Sequence, residues 1–372
     1  MKLRWIKIGL ILAMGTMLCG CWDTIDVEEF EIAVAGGYDT PRSGEEGKVS
    51  VSALLAAVEQ KNERLGTYSA STIGETRARR AYSESRHYSL AQLQAILIGQ
   101  DLAQQGVRSV LDTNLREPRA KISIPVAVVN GRTEELLGSM IEKDGGKVSE
   151  NLISLLQTIK KRAFVPQTSL HRFAVGSYTT GIAAAVPVLK TSNNQLGVEV
   201  TGCALFSQER MIAELDRIET RSLVLLSGNA AQGWIPFFLY KDGEMVDSGT
   251  VFAANQRKVN VSREGDVITF DIKVFLTGRL VEHGVFGHSE SLHEEQHLGE
   301  IEQVVAGDLR QELLDFVRFM QEELRVDAID ITPYALARWR QEITPQLGNG
   351  FIEDVIINVE VDVSIKNTGE IG

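Results

Sequence analysis

The N-terminal residues constrain this chain most, because they decide on which side of a membrane the rest of it folds. Lys2, Arg4 and Lys7 precede residues 8–18 (IGLILAMGTML), an uncharged and mostly apolar stretch of eleven residues. A membrane-spanning helix needs about 20 such residues. The stretch is therefore typical of the hydrophobic region of a signal peptide, and it predicts export of the chain.

The next four residues, Leu18-Cys19-Gly20-Cys21, match the pattern L-x-G-C, the lipobox of bacterial lipoproteins, although Cys19 replaces the usual Ala or Ser. A signal peptidase needs a small residue such as Gly20 beside the cut, and the thiol of Cys21 is the nucleophile that takes the lipid. We expect residues 1–20 to be removed and Cys21 to carry S-diacylglycerol and N-palmitoyl groups. Because one acyl chain anchors a protein only marginally, the additional chains make the attachment stable. An ordinary secretory signal and a short core helix are the alternatives.

The charge balance limits the partners of the chain. It has 372 residues, with 38 Lys and Arg against 50 Asp and Glu, and its net charge is −12. Loss of the three basic residues of the signal leaves 35 basic and 50 acidic residues, so the mature charge is −15. An anionic leaflet repels this charge, so we expect the lipid groups to provide the membrane contact. The acidic balance and the low aromatic content, 6%, also argue against a nucleic-acid partner.

Hydrophobic periodicity predicts both helices and strands. Strands are predicted at residues 32–38, 48–58, 89–98, 122–129, 198–206 and 355–365, and as a hairpin over 258–279 that turns near Glu264-Gly265. Helices are predicted at residues 74–85, 101–105, 107–117, 150–161 and 332–339, from Thr133 onward, and as a long amphipathic helix with apolar positions from 301 to 324. Residues 59–71 are a polar stretch with no predicted helix or strand. The pattern indicates an α+β protein with largely antiparallel or mixed sheets and no long βαβ alternation.

A chain of this length exceeds the size of most single cores, so we expect two to three domains. Residues 191–197 (TSNNQLG) are polar and turn-forming and are the predicted linker. They separate an N-terminal α/β domain, residues 21–190, from a C-terminal α+β region, residues 198–372. In an alternative division, residues 198–250 form a small middle domain before a C-terminal domain of residues 251–372.

One motif favours an enzyme. The residues from His293 to His297 read HExxH, in which two histidines one helical turn apart bind zinc and the glutamate, here Glu294, activates water. The histidines at 283 and 288 lie just upstream, and Glu322 or Glu323 could act as a third ligand. Against this, the middle residues of the motif are polar and its extended form is missing. A zinc hydrolase is therefore the alternative interpretation, and we expect no metal here.

The other residues that could do chemistry have simpler explanations. Cys203 lies in the apolar run VTGCALF and is predicted to be a small buried hydrophobe. The helix at 74–85 carries Arg77, Arg79 and Arg80, which are predicted to lie on a solvated face, with contact to lipid headgroups as the alternative. No GxGxxG or Walker A loop is present. We therefore expect no catalytic residue and no cofactor. A transporter's substrate-binding lipoprotein is a third reading, disfavoured by the missing βαβ alternation.

From Cys21 onward the chain resembles the Ger(x)C family, the C-subunit lipoproteins of spore nutrient germinant receptors. The resemblance begins at Gly20-Cys21-Trp22-Asp23 and the run through Asp39, and continues in residues 93–119 (LQAILIGQDLAQQGVRSVLDTNLREPR). It includes a "GxALF…ETR" pattern from Thr201 to Arg221 and a closing strand with K-x-T-G that ends at Gly369. These elements follow one another in order over essentially all of the mature chain.

The resemblance implies a three-domain, mixed α/β lipoprotein on the outer face of the spore inner membrane. Such a subunit would act with an integral-membrane A subunit and a transporter-like B subunit to convert a nutrient signal into germination, without catalysis. The lipid site carries over to Cys21. The histidines at 283–297 are not part of the family pattern.

Overall fold

The computed structural model describes residues 30–57, 63–118, 121–144, 148–284, 294–348 and 350–368. The strands are β1 (Phe30–Asp39), β2 (Val49–Ala57), β3 (Arg64–Ala70), β4 (His87–Ser89), β5 (Ala95–Gly99), β6 (Val126–Val129), β7 (Ala184–Thr191), β8 (Val198–Ser207), β9 (Arg210–Leu215), β10 (Gln232–Lys241), β11 (Glu244–Glu264), β12 (Val267–His283) and β13 (Ile356–Thr368). The α-helices are α1 (Ile73–Ser83), α2 (Gln100–Gln105), α3 (Arg108–Leu115), α4 (Thr133–Asp144), α5 (Val148–Thr158), α6 (Leu170–Tyr178), α7 (Arg217–Ser227), α8 (Glu294–Phe319), α9 (Thr332–Ile343) and α10 (Phe351–Asp354). None of the described helices is both long enough and apolar enough to span a membrane.

The first sheet has a parallel centre flanked by antiparallel strands. Its order is β3-β2-β1-β5-β6-β7-β8-β9, and the short β4 also pairs with β1. Strands β1, β5, β6 and β7 run parallel, whereas β2, β3, β8 and β9 run antiparallel to their neighbours. Every residue of β5 and β6 is buried. Helices cover both faces, as a parallel sheet requires: α1, α3 and α6 on one face, and α4 and α5 on the other.

The second sheet is a meander closed by a returning strand. Strands β10, β11 and β12 are antiparallel neighbours, and β13 lies parallel to β12. A parallel return needs a crossover, and helices α8 to α10 supply it. The buried stripe of α8, with Ile301, Val305, Leu309 and Leu313, packs into the same core as the inner face of this sheet.

Helix α7 lies between the two sheets and belongs to the core that joins them. Four consecutive residues, Leu223 to Leu226, are buried, so the C-terminal half of the helix is enclosed on all sides. Its start is fixed by a capping box, in which Asp216 accepts from the backbone N–H of Glu219 and the Glu219 carboxylate accepts from that of Asp216. Its end is a left-handed Gly228.

Two contacts connect α7 to its surroundings. Nη2 of Arg221 donates to both carboxylate oxygens of Glu312 on α8, at 2.8 and 2.6 Å. The hydroxyl of Thr220 donates to the sulfur of Cys203 on β8 at 3.5 Å. Beside them, a Cβ at Gly202 would lie 1.9 Å from the carbonyl oxygen of Leu215, so only glycine fits at this point of the β8–β9 pairing. The residues of the "GxALF…ETR" pattern are thus joined in space.

The predicted fold class, α+β with mixed sheets, is confirmed. The predicted hairpin turn is also confirmed, because β11 ends at Glu264 and β12 begins at Val267. The polar stretch at residues 59–71, for which no strand is predicted, contains β3. This strand is at the edge of the sheet and is only half-buried. Its polar residues therefore resemble a loop in sequence although the backbone pairs with β2.

Four further predictions are corrected. The strand predicted at residues 89–98 is two strands, β4 and β5, separated by a turn; of the strand predicted at 122–129 only β6 forms. The parallel centre contains helical crossovers, so the expected absence of βαβ alternation is wrong. Arg80 is buried and not solvated: its guanidinium lies 4.9 Å from the ring of Tyr68 and 3.9 Å from that of Tyr88.

Residues 192–197, part of the predicted linker, connect β7 to β8, which are antiparallel neighbours in the first sheet. The backbone N–H of Ser192 donates to the carbonyl of Gly197 across this turn. The segment is thus a tight connection within a sheet. The division into residues 21–190 and 198–372, with its three-domain alternative, stays a prediction about the modules of the chain.

We predict that Gly202→Ala destabilises the protein by about 3 kcal/mol or more, because the new methyl group meets a backbone oxygen that cannot move without breaking the β8–β9 pairing. Gly307→Ala is the matched control. Gly307 lies exposed on α8 with open space around its Cβ position, so alanine there should be neutral or stabilise by up to about 1 kcal/mol. Urea denaturation of both variants measures the difference. Equal midpoints would contradict this account of the crossing.

Candidate functional sites

The predicted lipid-attachment residue, Cys21, lies outside the described residues. The structure begins at Phe30, nine positions later in the sequence. Phe30 pairs with His87 of β4, and their rings lie 6.1 Å apart. The described chain therefore starts beside β4, which follows α1 closely. Lipid attachment at Cys21 stays a prediction.

The histidine motif is described only in part. His293 lies outside the described residues, and Glu294 is the first residue of α8. Nε2 of His297 lies 2.7 Å from Oδ2 of Asp247 on β11, and Oδ1 of the same carboxylate accepts from the backbone N–H of Gly284 at 2.7 Å. This contact fastens the first turn of α8 to the second sheet, which is a structural use of His297.

The suggested third zinc ligands do not approach His297. Glu322 and Glu323 lie in the π-helical turn, Met320–Leu324, that continues α8. Along a helix this separation is about 37 Å, so neither carboxylate can share a metal with His297. Across the described ranges, no group of three or more His, Cys, Asp or Glu residues is placed to hold a metal ion.

Cys203 is fully buried, as the sequence predicts. Burial raises the pKa of its thiol to about 12, while the hydrogen bond from Thr220 acts in the opposite direction. The thiol is therefore protonated at neutral pH and inert as a nucleophile. Its role is to pack in the core beneath α7.

A cavity of about 410 Å³ lies where α6 and the start of β7 meet residues 328–336. Arg172 and Asp330, 3.5 Å apart and both partly exposed, form an ion pair at its wall. Asp330 has φ of 55°, in the left-handed region. Arg257 holds this segment in place by donating to the carbonyl oxygens of Ile329 and Asp330, at 2.6 and 3.2 Å.

Two buried aspartates fix the starts of helices α4 and α9. Asp39, at the end of β1, accepts from the backbone and hydroxyl of Thr133 and caps α4. Asp327 accepts from three backbone N–H groups, those of Ile329, Ile331 and Thr332, ahead of α9. Burial raises the pKa of both carboxyl groups, and these hydrogen bonds oppose that effect. Sequence reasoning missed both, because their partners lie across the sheet or in an irregular loop.

Two exposed surfaces carry large apolar side chains. The aromatic strip consists of Trp234, Phe238 and Tyr240 on the outer face of β10, the edge strand of the second sheet. The helix layer consists of the outward faces of α1, α3 and α6 with the adjacent residues 121–122. Its exposed apolar residues are Tyr82, Leu115, Ile122, Val175 and Tyr178. Exposed patches of this kind are typical of surfaces that contact a partner or a membrane.

Comparison with known proteins identifies the class to which this fold belongs. Residues 23–191 match the family model described as the spore germination protein N-terminal domain. Residues 201–369 match the model described as spore germination B3/GerAC like, C-terminal. Together the two models account for nearly the whole chain after the predicted signal peptide. The chain belongs to the GerAC-like (Ger(x)C) family of spore germination proteins, as the sequence resemblance predicts.

Individual relatives agree with this assignment. The chain is 28% identical to spore germination protein GerQC of Bacillus cereus over 239 residues, which are 63% of this chain and 64% of GerQC. It is 22% identical to spore germination protein A3 of Bacillus subtilis (strain 168) over 286 residues, 74% of each chain. The crystal structure of the GerBC protein superposes with a TM-score of 0.57 at 15% identity, covering 92% of this chain and all of that one. This last similarity shows a shared fold.

We predict that Cys203 does not react with iodoacetamide in the folded protein at mildly alkaline pH, because the thiol is buried and its pKa is about 12. The same thiol should react completely after unfolding in guanidinium chloride. Intact-mass spectrometry of both samples measures the adduct. Stoichiometric labelling of the native protein would show that the core beneath α7 is open.

Proposed function

We propose that this chain is a lipid-anchored, non-enzymatic subunit of a spore germinant receptor, required for nutrient-triggered germination. It acts with an integral-membrane A subunit and a transporter-like B subunit on the outer face of the spore inner membrane. The observation that carries the proposal is the match of two spore germination family models in series, residues 23–191 and 201–369. The alignment spans 64% of GerQC, so the activity and partners of the whole relative come to this chain only as part of this proposal.

The sequence before the first strand supports the membrane attachment. A short apolar segment followed by Leu18-Cys19-Gly20-Cys21 is what lipoprotein processing requires. Eight residues separate Cys21 from Phe30, where the described structure starts. An extended chain of this length reaches about 30 Å, so lipids on Cys21 would hold the folded body close to the bilayer.

The arrangement of the polar residues supports a binding role and not a catalytic one. His297 is bonded to Asp247, and Cys203 is a protonated core residue. The buried carboxylates of Asp39 and Asp327 accept hydrogen bonds from backbone N–H groups. Each of these groups thus stabilises the fold, and what the molecule offers at its surface is the helix layer, the aromatic strip and the cavity between its halves.

Deletion of this chain should abolish germination in response to one nutrient or nutrient mixture, measured as loss of spore refractility. Dodecylamine, which bypasses nutrient receptors, should still open the same spores. A normal response to every nutrient, in spores that lack all paralogous receptors, would contradict the proposal.

Cys21→Ala should leave the chain unprocessed or released from membranes and should reduce the nutrient response as deletion does. Cys19→Ala is the matched control, because it restores a common lipobox residue and should keep both anchoring and response. Fractionation of spore membranes with immunoblotting measures attachment. Tight membrane association of the Cys21→Ala protein in its processed form would contradict the role of Cys21.

A further inference from the structure

The charge of the protein is unevenly distributed, and the helix layer has the opposite sign to the whole. The described residues 73–118 and 121–123 contain seven Lys or Arg and five Asp or Glu, and α6 adds Arg172, whereas the entire chain has a net charge of −12. Arg108 and Arg116 of α3 have side chains that are 81% and 78% exposed. The layer therefore forms a basic surface on an acidic protein.

Several acidic partners compensate this charge only in part. Arg79 pairs with Glu75, and Arg116 pairs with Asp112, both as neighbours on one helix. Arg77, Arg108 and Arg172 each have an acidic partner from another element, namely Glu117, Glu209 and Asp330. Ion pairs at such exposed positions are weak. Beneath them, Nε and Nη2 of the buried Arg80 have no hydrogen-bond partner among the described residues. The positive charge of Arg80 therefore adds to the potential of the layer from below.

The outward faces of the three helices point the same way. Ile73 of α1, Val110 of α3 and Phe173 of α6 all pack into one core cluster on one face of the first sheet. The residues on the opposite sides of these helices therefore share one surface. Tyr82 is 93% exposed, and Ile122, Val175 and Tyr178 are each about half exposed, so apolar and aromatic groups are interspersed with the basic ones.

The described chain begins beside this surface. Phe30 pairs with His87, which follows the last residue of α1 by four positions. With Cys21 nine positions before Phe30, a lipid on Cys21 lies within about 30 Å of Phe30. The tether therefore enters the described structure beside β4, close to the end of α1.

The aromatic strip lacks both of these properties. Its hairpin carries Lys241 together with Asp242 and Glu244, and the nearby carboxylate of Glu300 pairs with Lys241. An anionic surface would be repelled there. The exposed aromatic residues of β10 thus serve as a matched comparison: a similar apolar content in an acidic setting.

We propose that the helix layer lies against an anionic lipid surface, with Arg108, Arg116 and Lys121 at the phosphate headgroups and Tyr82, Ile122 and Val175 at the boundary with the acyl chains. This inference rests on the proposed lipid anchor. Anchoring alone would let the body rotate freely. The basic layer selects one orientation, in which the acidic remainder of the protein, including the second sheet, points away from the membrane.

The test uses the lipidated protein in vesicles of phosphatidylglycerol and phosphatidylcholine. Single cysteines are introduced as Tyr82→Cys and Val175→Cys in the helix layer, and as Phe238→Cys in the aromatic strip. The buried Cys203 stays unlabelled. Each site carries a fluorophore, and a lipid-borne quencher reports contact with the bilayer. The two helix-layer probes should be quenched several-fold more than the probe at 238. High salt should reduce this difference.

Charge reversal provides the second arm. Arg108→Glu with Lys121→Glu should abolish the difference between the probes, whereas Arg217→Glu, an exposed arginine on α7 outside the layer, should preserve it. Circular dichroism confirms that each variant is folded.

The outcomes separate the surface from the anchor. Vesicle flotation with equal quenching at all three sites would overturn the helix-layer proposal and leave the anchor standing. If the helix-layer probes are quenched just as strongly in vesicles of phosphatidylcholine alone as in vesicles with phosphatidylglycerol, the role of anionic lipid is overturned. If the helix-layer probes are quenched or buried only when the other receptor subunits are present, the surface contacts a protein partner. Failure of the protein to float with vesicles would overturn the anchor and the orientation together.

Discussion

Helix α7 is the element on which the arrangement of both halves depends, because its C-terminal half is buried on all sides in the core that joins the two sheets. A helix in that position cannot shift without exposing Leu223 to Leu226 or opening the space under β8. Its start is fixed by the capping box of Asp216 and Glu219, and Arg221 ties it to α8. The residues of the "GxALF…ETR" pattern thus form a structural junction. Its glycine allows the close pairing of β8 with β9, and its polar residues hold the start of α7.

A rigid junction suits the proposed role of the protein as a receptor subunit. The halves present different outer surfaces: a basic helix layer on the first sheet and an acidic surface with an aromatic strip on the second. Because α7 fixes the halves to each other, the orientation of one surface determines the orientation of the other. In the proposed arrangement, lipid at Cys21 and the basic layer face the bilayer, and the second sheet is held at a distance from it.

Local signals in the sequence were sufficient for the elements with strong periodicity. The stripe of α8 and the alternation of β11, β12 and β13 follow directly from residue patterns, because each buries one face along its length. Strand β3 escaped prediction because an edge strand needs few apolar residues. The parallel centre was not predicted because β5 and β6 are short, and the residue pattern of a strand does not encode its direction relative to its neighbours.

The functional residues divide in the same way. The lipobox is a contiguous pattern that chemistry dictates, so Cys21 can be predicted without a structure. The sequence predicts a solvated Arg80, but the structure buries it. Its aromatic neighbours, Tyr68 and Tyr88, come from β3 and from β4, so the local sequence does not reveal them. The basic layer is equally hidden, since the net charge of −12 is a sum that conceals a positive region. Only the packing of α1, α3 and α6 on one face of the sheet brings those residues together.

Isolation of the chain from spore inner membranes with its native lipids tests the central claim most directly. A C-terminally tagged chain, solubilised in mild detergent and identified by mass spectrometry, should bring with it one multi-span protein and one transporter-like protein in comparable amounts. Recovery of the tagged chain alone, from spores whose nutrient response is intact, would contradict its assignment as a receptor subunit.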